Sequence, residues 1–134
     1  MRSEILTLST RGSRVSDLTA AVRAFARESG GDGLVHLFAP HATAGLALME
    51  TGSGSEEDLD ELLGRLLPRE DRYAHRHGSR GHGGDHILPV LVSPSLTLPV
   101  LDGHLQLGTW QSVVLIDPNH DNDERTIRLS FVPA

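Results

Sequence analysis

The chain contains no cysteine, which excludes disulfides and thiolate metal sites. It is poor in aromatic residues, with a single Trp and a single Tyr among 134 residues. One chain of that size can form a real core, but the scarcity of large side chains points to subunit contacts completing it. No apolar run approaches the ~20 residues of a membrane-spanning helix. Met1 to Ser9 alternates like a short strand and lacks the apolar core of a signal peptide, so a cytoplasmic location is the expectation. There is no basic run, and the net charge of −6 argues against nonspecific nucleic-acid binding. No repeat and no long linker divides the sequence, which reads as one domain over residues 1–134.

The segment around which the rest is organised runs from Ser93 to Gln111. Leu96, Leu98 and Val100 alternate with Ser95, Thr97 and Pro99, the period of a half-buried strand. Asp102-Gly103 signals a two-residue hairpin turn, because both central positions of a type I′ turn need positive φ. Leu105 and Leu107 resume the alternation, and Gly108-Thr109-Trp110-Gln111 ends it. The local pattern favours a core hairpin with Trp110 packed inside. The alternative is a site wall, since Gly108 admits a ligand or a second backbone.

Before this segment, Glu4 to Ser9 reads as a strand. Ser16 reads as the N-cap of an amphipathic helix carrying Leu18, Ala21, Val22 and Phe25, which Gly30-Gly31 stops. Leu34 to Ala39 is a nearly continuous apolar strand, in which His36 needs no special role. Pro40 to Gly45 breaks it, and His41 and Thr43 sit where one strand turns into the next, able to project into a cleft. Leu46 to Glu50 is the following strand; by local pattern alone Glu50 is a surface end-residue. Ser55 and Asp58 resemble a capping box, and Leu59, Leu62, Leu63, Leu66 and Leu67 form a helical stripe ended by Pro68. The acidic residues near that helix start suit its dipole and call for no metal.

Between Tyr73 and His86 lie His75, His77, His82 and His86, four of the eight histidines, interleaved with glycine. Neutral imidazole is the commonest protein metal ligand, and glycine lets a loop fold back on a small ion. Asp85 could ligate or orient a neighbouring histidine. The spacing matches no zinc-finger or His-Glu-x-x-His pattern, so a surface loop that binds metal incidentally is the competing reading. A site needs convergence from elsewhere, and His41 is the natural candidate. Three imidazoles with an open position suit a catalytic zinc-type centre; without metal they suit general acid and base work near neutral pH. Ile87 to Val92 fits a buried strand or, with Pro89 in the first turn, a helix. Ser112 to Asp117 is an apolar strand, Pro118 to Glu124 a turn with a solvated His120, and Arg125 to Val132 the last strand. Arg125 could meet a phosphate.

The combination Pro40-His41-x-Thr43-x-Gly45, Glu50, Asp58, Tyr73-x-His75, His86, Pro94-Ser-Leu-Thr-Leu-Pro99-Val and Asp102-Gly103-x-Leu-x-Leu-Gly108-Thr-Trp-Gln111 resembles the secondary thiamine-phosphate synthase family, also called YjbQ-like. The match runs in one register from about Pro40 to the C-terminus; the N-terminal third matches by pattern only. The resemblance implies an α+β fold, a small mixed sheet or sandwich with two to three helices, assembled as a homotrimer with clefts between subunits. It makes Ile87 to Val92 helical. It also implies a cleft built on His41, His75 and His86, with Glu50, Thr43, Thr109, Trp110 and Gln111 nearby. A divalent metal such as zinc, or an anion such as phosphate or sulfate, would bind there.

Three positions depart from the family pattern: Met49 stands for Asn, Leu88 for a common Lys, and His82 for a carboxylate or amide. His82 adds an imidazole and implies a more metal-avid centre. The resulting assignment takes His86, His41 and Glu50 as catalytic residues. Thr43, Thr109, Trp110, Gln111 and Arg125 bind substrate, and His41, His75, His82 and His86 are metal ligands. The expected function is a small-molecule enzyme acting on a phosphate-containing ligand, with a weak thiamine-phosphate synthase activity by resemblance. The alternative is a metal- or anion-binding protein without turnover; neither nucleic acid nor a membrane is an expected partner.

Overall fold

A computed structural model describes residues 1–11 and 13–134. The elements in chain order are β1 (Arg2–Ser9), β2 (Val15–Asp17), α1 (Thr19–Ser29), β3 (Gly33–Phe38), β4 (Gly45–Met49), α2 (Ser55–Leu66), α3 (His82–Asp85), α4 (Leu88–Leu91), β5 (Ser95–Leu101), β6 (His104–Leu105), β7 (Ser112–Ile116) and β8 (Glu124–Pro133). The strands form a five-stranded sheet, in the order β1-β8-β3-β5-β6, and a three-stranded sheet, β2-β7-β4. Every neighbouring pair is antiparallel. The architecture is α+β, as the resemblance implies.

Alternation in sequence becomes two faces in space. Val35, Leu37, Leu98, Val100, Ile127, Leu129 and Phe131 point from the larger sheet into the main core. They meet Leu18, Val22, Phe25 and Ala26 around α1, together with Val113 and Leu115 of β7. The opposite residues of β7, Val114 and Ile116, face a second core with Leu63 of α2 and Leu88 of α4. β7 is therefore buried on both faces, which is why its sequence is an unbroken apolar run. The Asp102-Gly103 turn forms as expected, with φ of 49° and 72°, and joins β5 to β6. Ile87 to Val92 contains a single helical turn, α4, with Pro89 in its first positions.

Several local expectations are corrected. Ser16 does not cap α1; it lies in β2, opposite Leu115. That ladder consumes Val15 to Asp17, and the Asp17 carboxylate instead accepts the Thr19 N–H at 2.9 Å. Ser55 and Asp58 form no capping box, because Gly54, at φ 99°, takes the turn and Ser55 is already helical. The Glu56 carboxylate accepts the Gly52 N–H at 3.1 Å in its place. Trp110 is not packed in a core hairpin: it is 73% exposed, since β6 ends at Leu105 and the chain turns outward before β7. In the α2 stripe, Leu63 is buried but Leu62 and Leu66 face outward. Among the described residues, no helix is long and apolar enough to cross a membrane.

Candidate functional site

The histidine-rich segment folds into a defined cluster. α3 supplies one helical turn, and the i,i+4 spacing of His82 and His86 puts both rings on one side of it. Their Nε2 atoms are 3.0 Å apart. His75 reaches the pair from the loop after α2, its ring centroid 4.3 Å from that of His86 and 5.3 Å from that of His82. One nitrogen from each of the three lies within 4.8 Å of the others. His77 stands beside them, 3.9 Å from His75 between centroids, but is exposed.

Close packing holds this arrangement. Tyr73 donates to the Pro68 carbonyl at 2.9 Å and lies against Gly83 and Gly84. A Cβ on Gly83 would meet the His75 carbonyl oxygen and Tyr73 Cβ at 2.6 Å; one on Gly84 would meet Tyr73 Oη at 2.7 Å. Gly83, Gly84 and Asp85 are buried, so the α3 end of the segment is packed, while residues 76–80 are exposed.

A polar network ties the cluster to the sheets. Asp121 Oδ2 lies 2.7 Å from His82 Nδ1. Asn119 donates to Asp85 at 3.0 Å, and its Oδ1 accepts the N–H groups of Asp121 and Asn122 at 3.0 and 3.2 Å. Asp85 is also paired with Arg69 at 2.9 Å. Its carboxylate is thus spent on Arg69 and Asn119, and it touches no imidazole directly. Asp117 accepts the Asn119 N–H at 3.1 Å and pairs with Arg125 at 2.6 Å, while Arg125 donates to Thr43 at 3.0 Å.

The electrostatics favour neutral imidazoles. Desolvation, then the neighbouring rings of His77 and His82, hold the His75 pKa below the ordinary histidine value. His86 is lowered by desolvation and by His75, His82 and His77. Asp121 is held below the usual carboxylate range, chiefly by the Ser79 N–H and further by His82. His75 Nδ1 is buried without a hydrogen-bond partner. Neutral rings, an unpartnered nitrogen and a carboxylate behind a third ring are what a nitrogen-coordinated divalent metal requires, so the residues fit such an ion.

The other site residues named from the sequence are distributed unevenly. His41 does not join the triad; its Nε2 lies 3.1 Å from the Thr126 nitrogen and 2.9 Å from the Thr126 oxygen. Thr43 and Arg125 are buried and bonded to each other on the cluster side of the molecule. Glu50, Thr109, Trp110 and Gln111 are exposed and lie beyond the other end of the β4–β7 ladder, where Met49 pairs with Ser112. β7 itself, whose ends mark the two regions, is roughly 14 Å long at 3.4 Å per step.

Residues 4–134 match the family described as UPF0047 protein YjbQ-like. The chain belongs to the YjbQ/UPF0047 family. A UPF0047 protein of Mycobacterium tuberculosis is 58% identical to this YjbQ-family chain over 132 residues, covering 98% of each. A UPF0047 protein of Methanothermobacter thermautotrophicus is 30% identical, covering 85% of this chain and 79% of the relative. The crystal structure of a hypothetical protein from Aeropyrum pernix K1 superposes with a TM-score of 0.89 at 28% identity, covering 100% of both chains. A YbjQ-like protein of unknown function from Sulfolobus solfataricus P2 gives 0.90 at 21% identity over 99% and 97% of the two chains, a likeness of fold.

Asp121, Asn119 and Arg69 are site residues that no sequence pattern marks. Asn119 and Asp121 fall in an Asn/Asp-rich turn that resembles any solvated connection. The i,i+4 spacing of His82 and His86 is the one legible signal for the pair.

Proposed function

We propose that this YjbQ-family protein is a small-molecule enzyme in which His75, His82 and His86 hold a divalent metal of the zinc type beside a phosphate-containing ligand. The observation that carries this reading is the approach of three ring nitrogens to within 4.8 Å of one another, beside the packed glycines of α3. A bound ion would supply Lewis acidity toward a phosphoryl oxygen or acidify a bound water.

The chain's own residues do the rest. His75 and His86, kept neutral by their surroundings, offer lone pairs rather than repelling a cation. A cleft of about 270 Å³ beside the cluster is lined by His75, His77, His82, Arg76 and Arg80, together with Glu70 and Asp71. Arg76 and Arg80 supply positive charge for phosphate oxygens, and His77 is exposed at the cleft. Arg125 does not serve there, because its guanidinium is engaged by Asp117 and Thr43. The finer reading, by resemblance, is a thiamine-phosphate synthase activity, joining a pyrimidine pyrophosphate to a thiazole phosphate with pyrophosphate leaving.

The same proposal places the site between copies of the chain, in a homotrimer. It is supported by the separation of Glu50 and Trp110 from the triad within one chain, which a neighbour's copy of those residues would remove. Leu34, Phe38, Leu101 and Val132 are exposed on the larger sheet, as an interface would need.

The first test is metal content per subunit of tag-free protein, wild type beside His86→Ala. Near-stoichiometric metal that disappears in the variant is the expected result. Wild type that is metal-free and cannot be loaded overturns the metal centre. Tight binding of phosphate compounds without turnover of any phosphate or pyrophosphate substrate would make the protein a binder and not an enzyme.

A further inference from the structure

We propose that Asp121 is the positioning residue of the imidazole centre: its carboxylate keeps the proton of His82 on Nδ1 and so leaves the His82 Nε2 lone pair facing the other two rings. The inference rests on the centre described above but concerns a residue outside it.

Two groups compete for His82 Nδ1. Asp121 Oδ2 lies 2.7 Å away and Asn119 Nδ2 lies 3.0 Å away. A ring nitrogen cannot donate to the carboxylate and accept from the amide at once. The bond to an ionised acceptor is about twice as strong as a neutral one, so the carboxylate prevails. Asn119 retains a partner either way, since Nδ2 also donates to Asp85. Asp121 is itself fixed in place. Its backbone N–H donates to Asn119 Oδ1, and its Oδ2 also accepts the Ser79 N–H at 3.2 Å. The His82 ring is seated from the other direction by Gly78, where a Cβ would meet the ring at 2.6 Å.

The consequence of losing the carboxylate follows from the same geometry. The Asn119 amide would donate to Nδ1, and the ring proton would move to Nε2. That nitrogen lies 3.0 Å from His86 Nε2, so it would become the donor in the bond between the two rings and no longer present a lone pair. One substitution outside the cluster would thereby remove His82 Nε2 from the set of nitrogen donors.

The experiment is long-range ¹H–¹⁵N NMR of histidine-labelled, metal-free protein at about pH 8, where imidazoles are neutral. Signals are assigned with His82→Gln, and the Zn²⁺ affinity of each protein is measured alongside. Wild type should show His82 as the Nδ1–H tautomer. Asp121→Asn should convert it to Nε2–H and weaken Zn²⁺ binding by about ten- to a hundredfold. Asp121→Glu should restore the wild-type tautomer. A wild-type His82 protonated on Nε2 overturns the proposal, even if Asp121→Asn does not fold. So does an Asp121→Asn protein that keeps the Nδ1–H tautomer. Wild type that shows the Asp121-dependent tautomer yet binds no Zn²⁺ upholds the positioning role and defeats the metal reading.

Discussion

Burial turns Arg125 from a ligand candidate into part of the frame. Its side chain is 5% exposed and that of its partner Asp117 is 1% exposed, so removing either strands a charge away from water. Arg125→Ala is expected to cost about 3–5 kcal/mol in chemical denaturation. The cost is one of stability, whatever ligand is present. Gly83→Ala should cost roughly 1–3 kcal/mol by overpacking against Tyr73 and the His75 carbonyl, read as a lowered unfolding midpoint. The histidines set a pH dependence of known sign. His75 and His86 have folded pKa values below their unfolded ones, so the folded state binds fewer protons. Their contribution is intact above the unfolded value of about 6.5 and is lost as pH falls below it. The metal-free protein should therefore lose thermal stability below about pH 6.5, and His86→Gln should flatten that decline.

At the scale of elements, α2 separates what periodicity tells from what it does not. The leucine stripe is legible as a helix face, and Leu63 does sit in the second core. That Leu62 and Leu66 face outward is not legible, because a period of 3.6 says which residues share a face and nothing of what covers it. Leu63→Ala should cost about 2–5 kcal/mol. Leu62→Ala should stay within about 0.5 kcal/mol in the dissociated chain, compared by urea midpoints. Helix starts are less legible than helix faces. Ser16 and Ser55 are good capping residues, but β2 claims one and Gly54 displaces the start past the other. The first outcome depends on a strand remote in sequence, the second on the glycine next to Ser55.

Across the whole molecule, one chain keeps apart two groups of residues that the family resemblance puts in one cleft. The triad lies beyond one end of β7, and the exposed Trp110 beyond the other. If copies assemble so that a neighbour's Trp110 approaches the triad, Co²⁺ added to the assembled protein should quench the single tryptophan's emission. Dilution to separate chains should abolish the quenching, as should His86→Ala. Unchanged emission in an assembled, Co²⁺-loaded protein would count against a shared cleft.

The α+β class came from the family resemblance, while the sequence by itself determined the alternating strands, the Asp102-Gly103 turn and the concentration of imidazoles between Tyr73 and His86. Each is a local property, set by side-chain period, by backbone sterics or by residue type over a short span. The tertiary structure decided which imidazoles converge, that His41 turns to the Thr126 backbone, that Arg125 is buried, and that Asp121 stands behind His82. Apart from the imidazoles, which are close in sequence, those outcomes rest on contacts across long sequence separations, such as the 37 residues between His82 and Asn119. No local pattern encodes them, because a hydrogen-bond partner is chosen by what the fold brings within about 3 Å.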